Sequence, residues 1–185
     1  ILWKNNSAIR ELEGLERYVE TAFGEVPDFV EVPEHGVTFR VPLASGQKTG
    51  WYFDQAGNRA MLMPHVRNAR VLDVFSYAGS FGLQAARAGA AEVTCVDSSA
   101  AALEAAAATA AANGLEAELL QGDAFDTLES LHADRRRFDV VVIDPPAFIK
   151  RRKDHPKGLA GYRRLNQLAL QTLDRLLDAL VVEQN

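Results

Sequence analysis

Short apolar segments alternate with helical patterns along the chain from Ala69 onward. We predict strands at the apolar, β-branched segments and helices at the segments between them. The predicted strands are 70–75, 92–97, 117–120 and 138–143. The predicted helices are about 81–88, 99–113, 124–133 and 159–179, and Ser98 or Ser99 caps the second of them. This alternation predicts an α/β fold, in which helices cover both faces of a parallel sheet.

The N-terminal third of the chain has a different pattern. Its apolar spacing predicts a helix from about Ala8 to Phe23, and the alternation of Val37, Phe39 and Val41 predicts a half-exposed strand. We expect residues 51–53 to return as the second strand of a hairpin. We therefore divide the chain into a small α+β appendage, residues 1–58, and a main α/β domain, residues 59–185.

Composition narrows the class of protein. The 185 residues are 48% hydrophobic, which is enough for one substantial core. No apolar segment is long enough to cross a bilayer and no secretory signal precedes the domain, so we expect a cytoplasmic protein without a membrane partner. Cys95 is the single cysteine, which excludes an internal disulfide, and we expect no metal site.

Aspartates recur at the C-terminal ends of the four predicted strands: Asp73, Asp97, Asp123 and Asp144. Ligands of open parallel sheets bind beyond these strand ends. Any one of the four can also be an ordinary turn residue, because aspartate is common in turns. Their recurrence at four successive strands favours a binding site.

The loop after the first predicted strand contains Gly79 and Gly82 but lacks the three-glycine motif of dinucleotide-binding enzymes. Gly79 allows a ligand to approach the backbone closely at a helix N-terminus. Asp97 follows about twenty residues later, where a carboxylate accepts hydrogen bonds from ribose hydroxyls. Together they favour a cofactor that contains adenosine.

Two later segments resemble the class I methyltransferases: residues 122–125, Gly-Asp-Ala-Phe, and residues 144–148, Asp-Pro-Pro-Ala-Phe. The resemblance implies a Rossmann-like methyltransferase sheet and S-adenosylmethionine as cofactor. It also implies that Asp123 binds the adenine amino group and that the second segment faces the methyl group and the target base. The catalytic residues would be Asp144, Pro145, Pro146 and Phe148. The cofactor-binding residues would include Asp73, Phe75, Ser76, Gly79, Asp97, Asp123, Ala124 and Asp144.

The order of three segments is similar to the RlmI-type family of ribosomal RNA methyltransferases, and the resemblance covers nearly the whole chain. The segments are 46–55 (GQKTGWYFDQ), 73–82 (DVFSYAGSFG) and 144–150 (DPPAFIK). This resemblance implies that Gln47, Thr49 and Gly50 lie near the cofactor. The implied target is a base of large-subunit ribosomal RNA, with cytosine carbon-5 as the favoured atom. Ala56 departs from the family, which commonly has arginine there.

A basic segment follows Asp144, although the net charge of the chain is −5. Lys150, Arg151, Arg152 and Lys153 stand together, and cationic side chains beside an active site hold RNA phosphates. We expect these four residues to bind ribosomal RNA and Phe148 to stack on the target base. The alternative is a solvated charged loop.

The acceptor atom stays open at this stage. Carbon-5 of cytosine needs a thiolate to add to the ring, and Cys95, inside a predicted strand, is expected to be a buried core residue. Because the chain begins at Ile1 and ends soon after a candidate fifth strand at 180–182, we expect a fragment with an incomplete C-terminus. The thiolate then lies in a missing segment, or the acceptor is a guanine nitrogen. Weak cofactor binding, inactivity or homo-oligomerisation would follow from truncation.

Two other classes of protein compete with a methyltransferase. A nicotinamide-dependent oxidoreductase would share the sheet and Asp97, but the three-glycine loop is missing. A non-catalytic fragment that binds RNA or the cofactor would keep the basic segment and dispense with methyl transfer. Cofactor binding through Asp97 and Asp123 separates an enzyme from a module that binds only RNA.

Overall fold

The computed structural model describes residues 1–44, 50–149 and 151–174. Its strands are β1 (Leu2–Asn5), β2 (Tyr18–Thr21), β3 (Phe29–Glu34), β4 (Val37–Pro42), β5 (Arg70–Val74), β6 (Glu92–Asp97), β7 (Glu118–Gln121) and β8 (Val140–Ile143). Its helices are α1 (Ala8–Leu12), α2 (Ala56–Leu62), α3 (Ser80–Arg87), α4 (Ala100–Asn113), α5 (Ala124–Ala133) and α6 (His155–Thr172).

Strands β5 to β8 form the central sheet, in the order β7-β6-β5-β8. All three neighbouring pairs are parallel. The four predicted strands are therefore confirmed: β6 has the predicted ends, and the ends of the other three differ by at most two residues. Their apolar side chains point to both faces of the sheet, which is why they form nearly continuous hydrophobic runs in the sequence.

Helices cover both faces of the sheet, as the alternation of elements predicted. On one face, Leu72, Val74 and Val96 pack against apolar residues of α5 and α6. On the other face, Val71 and Cys95 pack against α2 and α3. The core is thus a three-layer α/β arrangement, and the burial of Cys95 confirms its predicted place in the core.

Helix α4 begins at one of the two predicted capping residues. Ser99 caps α4 by accepting a hydrogen bond from the backbone N–H of Ala102, and Gly114 ends the helix in a left-handed conformation. The last helix, however, ends at Thr172 and not at Ala179, because Leu173 leaves the helix and bridges to Phe138 beside β8. The candidate fifth strand at 180–182 lies outside the described residues.

The prediction of a helix from Ala8 to Phe23 is wrong. Only α1 is helical there, Gly14 follows it with a φ of +73°, and β2 pairs with β1 in antiparallel fashion. Tyr18, Val19 and Thr21 in β2 have side chains that favour strands, and their pairing with β1 outweighs the helical spacing of the apolar residues.

The predicted return strand at 51–53 is also wrong. The partner of β4 is β3, which precedes it, and His35 and Gly36 form the two-residue turn with φ values of +46° and +82°. Two successive residues with positive φ are typical of the tight hairpin turn whose twist matches the strands. Residues 51 and 52 are outside regular structure, and Phe53–Gln55 form one turn of 3₁₀ helix.

The hairpin β3–β4 packs directly on the helices of the main domain. Val37, Phe39 and Val41 are each at most 1% exposed and contact residues of α3 and α4. The backbone of Thr38 exchanges two hydrogen bonds with the side chain of Asn113 at the end of α4. A domain boundary at residue 58 stays a prediction. Within the described residues, no helix combines the length and the hydropathy that crossing a bilayer requires.

Candidate functional site

The parallel register brings two of the predicted aspartates to either side of β5. Val74, the last residue of β5, aligns with Val96 of β6 and with Ile143 of β8. Asp97 and Asp144 follow these partners directly, so both lie at the carboxyl edge of the sheet beside the loop that leaves β5. The backbone N–H of Asp144 donates to the carbonyl of Val74 at 3.2 Å, and that of Ser76 donates to Val96 at 3.0 Å.

The loop between β5 and α3 is built from alternating left-handed residues. Phe75, Tyr77 and Gly79 have φ values of +64°, +50° and +74°. Left-handed backbone is costly for phenylalanine and tyrosine, and such strain concentrates at functional sites. Gly79 also lies close to Leu83 and Ala106, so an added Cβ would meet their side chains at 3.1 to 3.3 Å.

Asp97 holds two loops together at the edge of the sheet. Its Oδ2 accepts the backbone N–H of Tyr77 and its Oδ1 accepts that of Ser99, both at 2.9 Å. The side chain is only partly buried, so its carboxylate stays accessible for a further acceptor role. Asp97 therefore orders the candidate site besides being a candidate ligand.

Asp73 is fully buried beneath the loop. Its Oδ2 accepts the backbone N–H of Gly82 at 2.8 Å, while its Oδ1 has no hydrogen-bond partner among the described residues. Burial raises the pKa of Asp73 to about 7 against the opposing effect of the Gly82 hydrogen bond, and the negative charges of Asp144 and Asp97 raise it further. A cation bound at this edge would reverse part of that shift.

Ser76 contributes a second buried polar atom without a partner. The residue is 2% exposed, and its Oγ makes no hydrogen bond to a described residue. Two such atoms, in Asp73 and Ser76, at one strand end are unusual, because buried polar groups are nearly always satisfied.

Asp123 and Ala124 follow β7, as predicted, at the start of α5. Oδ1 of Asp123 accepts the backbone N–H groups of Phe125 and Asp126, at 2.8 and 3.3 Å, and so caps the helix. Ala124 is 6% exposed and belongs to the core cluster beneath α5. The exposed carboxylate of Asp123 is thus placed to serve a ligand, whereas Ala124 faces mainly protein.

The segment 144–148 leaves β8 without regular structure and forms the wall of a cavity. Pro146, Ala147 and Phe148 line this cavity, whose volume is about 470 Å³, together with Phe125 and residues at the start of α6. Phe148 packs on Tyr162 with ring centroids 4.6 Å apart, and its backbone N–H donates to the Tyr162 hydroxyl at 3.1 Å. Phe148 is therefore held by α6 at the cavity wall, and its stacking on a target base stays a prediction.

Three tyrosines of this site were not found from the sequence: Tyr52, Tyr77 and Tyr162. The rings of Tyr52 and Tyr77 meet edge to face at 5.8 Å, and the Tyr77 hydroxyl donates to the carbonyl of Gly50 at 3.1 Å. Burial raises the pKa of Tyr52, and so do the charges of Tyr77, Asp144, Asp54 and Asp97. Because the backbone N–H of Tyr77 donates to Asp97, the ring contact with Tyr77 places Tyr52 near the acidic edge of the sheet.

The predicted basic segment is only partly described. Arg151 and Arg152 are exposed, and Arg152 begins a 3₁₀ turn that leads into α6. Lys157 is exposed on the first turn of α6 and lines the cavity beside Phe148. Lys150 lies outside the described residues, as do Gln47 and Thr49, and the side chain of Lys153 is not described.

Cys95 has no access to this site. It is 0% exposed in the middle of β6, and burial raises the pKa of its thiol well above the usual value, with a smaller contribution from Asp73. A thiol that is buried and protonated does not act as a nucleophile. Within this sequence, no other cysteine exists to do so.

Comparison with known proteins gives matches over most of the chain. Residues 57–173 match the family model described as Conserved hypothetical protein 95. The chain is 38% identical over 177 residues to ribosomal RNA large subunit methyltransferase I of Vibrio cholerae, an alignment that covers 92% of this chain and 45% of that protein. The chain therefore spans less than half the length of the curated relatives that it matches.

Solved structures agree with the fold. The chain superposes on SMU.776, a protein solved in complex with SAH, with a TM-score of 0.73 and 29% identity, over 85% of this chain and 42% of that one. A SAM-dependent methyltransferase from Agrobacterium tumefaciens gives the same TM-score at 22% identity, over 91% of this chain and 57% of that one. These likenesses confirm the predicted Rossmann-like sheet.

Proposed function

The chain belongs to the Conserved hypothetical protein 95 family, and we propose that it is the cofactor-binding part of an S-adenosylmethionine-dependent RNA methyltransferase. The observation that carries the proposal is the acidic strand edge, where Asp97 and Asp144 flank the end of β5 and Asp73 lies beneath the loop. The similarity to a protein solved with SAH supports the same cofactor.

The charge of the edge favours this cofactor over a dinucleotide. S-adenosylmethionine carries a sulfonium, an ammonium and a carboxylate group and is cationic overall, whereas NADH carries an anionic pyrophosphate. Carboxylates attract the first ligand and repel the second in a partly buried site, where charges are weakly screened. The missing three-glycine loop points the same way.

Several of the predicted ligands have surroundings that permit a role. Asp97 would accept hydrogen bonds from the ribose hydroxyls, and Asp123 would accept one from the adenine amino group. Asp73 and Ser76, whose Oδ1 and Oγ are buried without partners, would lie beneath the loop that faces the ammonium end of the cofactor. Gly79 would let that end approach the backbone. Gln47, Thr49 and Gly50 stay predictions from the family resemblance.

When bound, the cofactor supplies a methyl group that its sulfonium has already activated. The chain then has to orient the acceptor and exclude water. Asp144, Pro145 and Pro146 form a rigid exit from β8 that faces this region, and Tyr162 holds Phe148 beside it. These residues would position the target base in the neighbouring cavity.

The proposed substrate is large-subunit ribosomal RNA, as the name of the Vibrio cholerae relative suggests. Arg151 and Arg152 would hold its phosphates beside the cavity. The favoured acceptor is carbon-5 of cytosine, with a thiolate from a residue outside this sequence. The burial of Cys95 also supports a second candidate, a guanine nitrogen, which needs no thiolate.

Calorimetric titration with S-adenosylmethionine and, separately, with NADH tests the cofactor. We expect saturable binding of S-adenosylmethionine alone, and its loss in Asp97→Ala. Asp139→Ala is the matched control, because Asp139 precedes β8 at the opposite end of the sheet and pairs with Arg70. Binding of NADH, or equal affinity in Asp97→Ala, would contradict the proposal.

Nucleoside mass analysis tests the acceptor atom. Unmodified large-subunit ribosomal RNA is incubated with the full-length protein and labelled S-adenosylmethionine, then digested to nucleosides. Labelled 5-methylcytidine is the expected product. Labelled methylguanosine would mean that the acceptor is a guanine nitrogen and not carbon-5 of cytosine. An absence of label would favour a non-catalytic binding module.

A further inference from the structure

A partly buried carboxylate, that of Glu34, binds side chains from three later segments of the chain. It accepts hydrogen bonds from Arg59 Nε and Nη2 at 2.5 and 2.9 Å, from Trp51 Nε1 at 3.0 Å and from Gln84 Nε2 at 2.8 Å. The side chains of Arg59 and Glu34 are 1% and 10% exposed. Burial acts to raise the pKa of Glu34, but the hydrogen bonds of Arg59, Gln84 and Trp51 lower it to about 2.

This cluster fixes the backbone next to the candidate site. Nη2 of Arg59 also donates to the carbonyl of Tyr52 at 2.9 Å, and the guanidinium lies 5.1 Å from the ring of Trp51. Arginine can make this set of bonds because its donors are arranged in a planar fork. The backbone of Tyr52 is therefore held by Arg59, which is held in turn by Glu34.

Tyr52 in turn contacts the loop that would hold the cofactor. Its ring meets Tyr77 edge to face, and the backbone N–H of Tyr77 donates to Asp97. A continuous set of contacts thus runs from Glu34 through Arg59, Tyr52 and Tyr77 to Asp97. Each contact is either a hydrogen bond or a direct ring contact.

We propose that Glu34 and Arg59 are positioning residues that hold Tyr52 as a wall of the cofactor site. The inference rests on the proposed function, since it names residues that act on the same site. Neither residue has to touch the cofactor. Loss of the Arg59 fork would release the carbonyl of Tyr52 and let its ring leave Tyr77 while the sheet stays intact.

Calorimetry with S-adenosylhomocysteine on Arg59→Lys, Tyr52→Ala and the double variant tests the inference. Lysine keeps the charge but cannot pair with Glu34 through two nitrogens and bind the Tyr52 carbonyl as well. We expect each single variant to bind about tenfold more weakly, as for the loss of one well-formed hydrogen bond or ring contact. The double variant should bind no more weakly than Tyr52→Ala, because Arg59 acts through Tyr52.

The control is Arg70→Lys, which breaks another two-nitrogen pair, with Asp139, at the far end of the sheet. It should lower thermal stability without changing affinity. If Arg59→Lys does not fold, Glu34→Gln replaces it, because glutamine keeps the shape of the side chain and weakens its bonds to Arg59.

The outcomes separate the inference from the proposed function. If the wild type binds S-adenosylhomocysteine and Arg59→Lys binds it with the same affinity, the inference is overturned and the proposed function stands. Additive losses in the double variant would also overturn it, since they would mean that Arg59 acts on the site without Tyr52. Absence of binding by the wild-type chain would overturn the proposed function and the inference with it.

Discussion

The hydroxyl of Tyr77 donates a hydrogen bond to the backbone carbonyl of Gly50 at 3.1 Å, and both groups are buried. The bond joins the loop after β5 to the segment that follows the N-terminal hairpin. Gly50 cannot be replaced easily, because its φ is +109° and an added Cβ would lie 2.9 Å from Val41. The appendage and the candidate site are therefore tied at a point where both backbones are constrained.

Tyr77→Phe should lower the free energy of unfolding by about 1 kcal/mol, because it leaves the buried Gly50 carbonyl without its donor. Urea denaturation followed by circular dichroism measures the change. Tyr18→Phe is the control, since Tyr18 lies on the exposed strand β2, and it should change stability by less than about 0.5 kcal/mol. Equal stability of Tyr77→Phe and the wild type would show that the bond is not formed in solution.

Asp73 should make stability fall as the pH rises. The folded protein keeps the proton of this carboxyl up to a pKa of about 7, whereas the unfolded chain releases it near 3.8. Between these values the unfolded state binds fewer protons, so the free energy of unfolding decreases by up to ~1.4 kcal/mol per pH unit. The stabilising contribution of the protonated Asp73 carboxyl is complete below about pH 3.8 and is lost above about pH 7.

Asp73→Asn removes the titrating group, and urea denaturation at pH 5, 6, 7 and 8 tests the effect. Relative to the variant, the wild type should lose stability steadily up to about pH 7 and then no further. Asp28→Asn, a substitution at an exposed carboxyl in the appendage, should leave the slope of the wild type unchanged. A parallel pH dependence of wild type and Asp73→Asn would contradict the raised pKa.

Gly82 allows α3 to pack directly on the sheet. An added Cβ would lie 2.5 Å from Cys95 Sγ and 3.0 Å from Val93 Cγ1. Gly82→Ala should therefore destabilise the fold by about 1–3 kcal/mol, although alanine usually favours a helix. The control Gly57→Ala has no atom within 4 Å of the new Cβ and should be neutral or stabilising.

A second substitution tests whether this contact is the cause. Cys95→Ala removes the nearer atom, so Gly82→Ala with Cys95→Ala should lose less stability than the sum of the two single changes. Thermal unfolding of the four proteins completes the cycle. Additive losses would mean that Gly82 is needed for some reason other than its contact with Cys95.

The central sheet could be predicted because local pattern and tertiary environment agree there. Strands β5, β6 and β8 are apolar on both faces, and α4 has a serine cap, an alanine-rich interior and a terminal glycine. The prediction for the N-terminal region failed because local pattern and tertiary environment disagree there. The apolar residues between Ile9 and Phe23 have helical spacing, but Gly14 interrupts them and β2 is completed by pairing with β1.

The candidate site was predicted in part for the same reason. The ends of apolar strands can be recognised in a sequence, and so can the aspartates that follow them. The strand register then places Asp97 and Asp144 on either side of the end of β5. Tyr52 and Tyr162 carry no comparable signal, since their roles come from contacts with Tyr77 and Phe148 that only the folded chain creates. The turn at His35 and Gly36 could have been recognised, because glycine after a polar residue between two β-branched segments indicates a hairpin.

Arg151 and Arg152 provide the most direct test of RNA binding. Each is exposed and closely follows in sequence the residues that line the cavity, and a side chain that neutralises one phosphate makes affinity depend on salt. Arg151→Gln and Arg152→Gln should each weaken binding to a large-subunit ribosomal RNA transcript and reduce the slope of log affinity against log salt by about 0.7–1. Cofactor affinity should stay unchanged, because neither residue contacts the strand edge.

Arg135→Gln is the matched control, since Arg135 is exposed in the loop before β8, at the opposite end of that strand from Asp144. Filter binding at four salt concentrations measures the slopes. An equal loss in Arg135→Gln would mean that RNA binds by overall charge, and unchanged slopes in all three variants would place the RNA surface elsewhere.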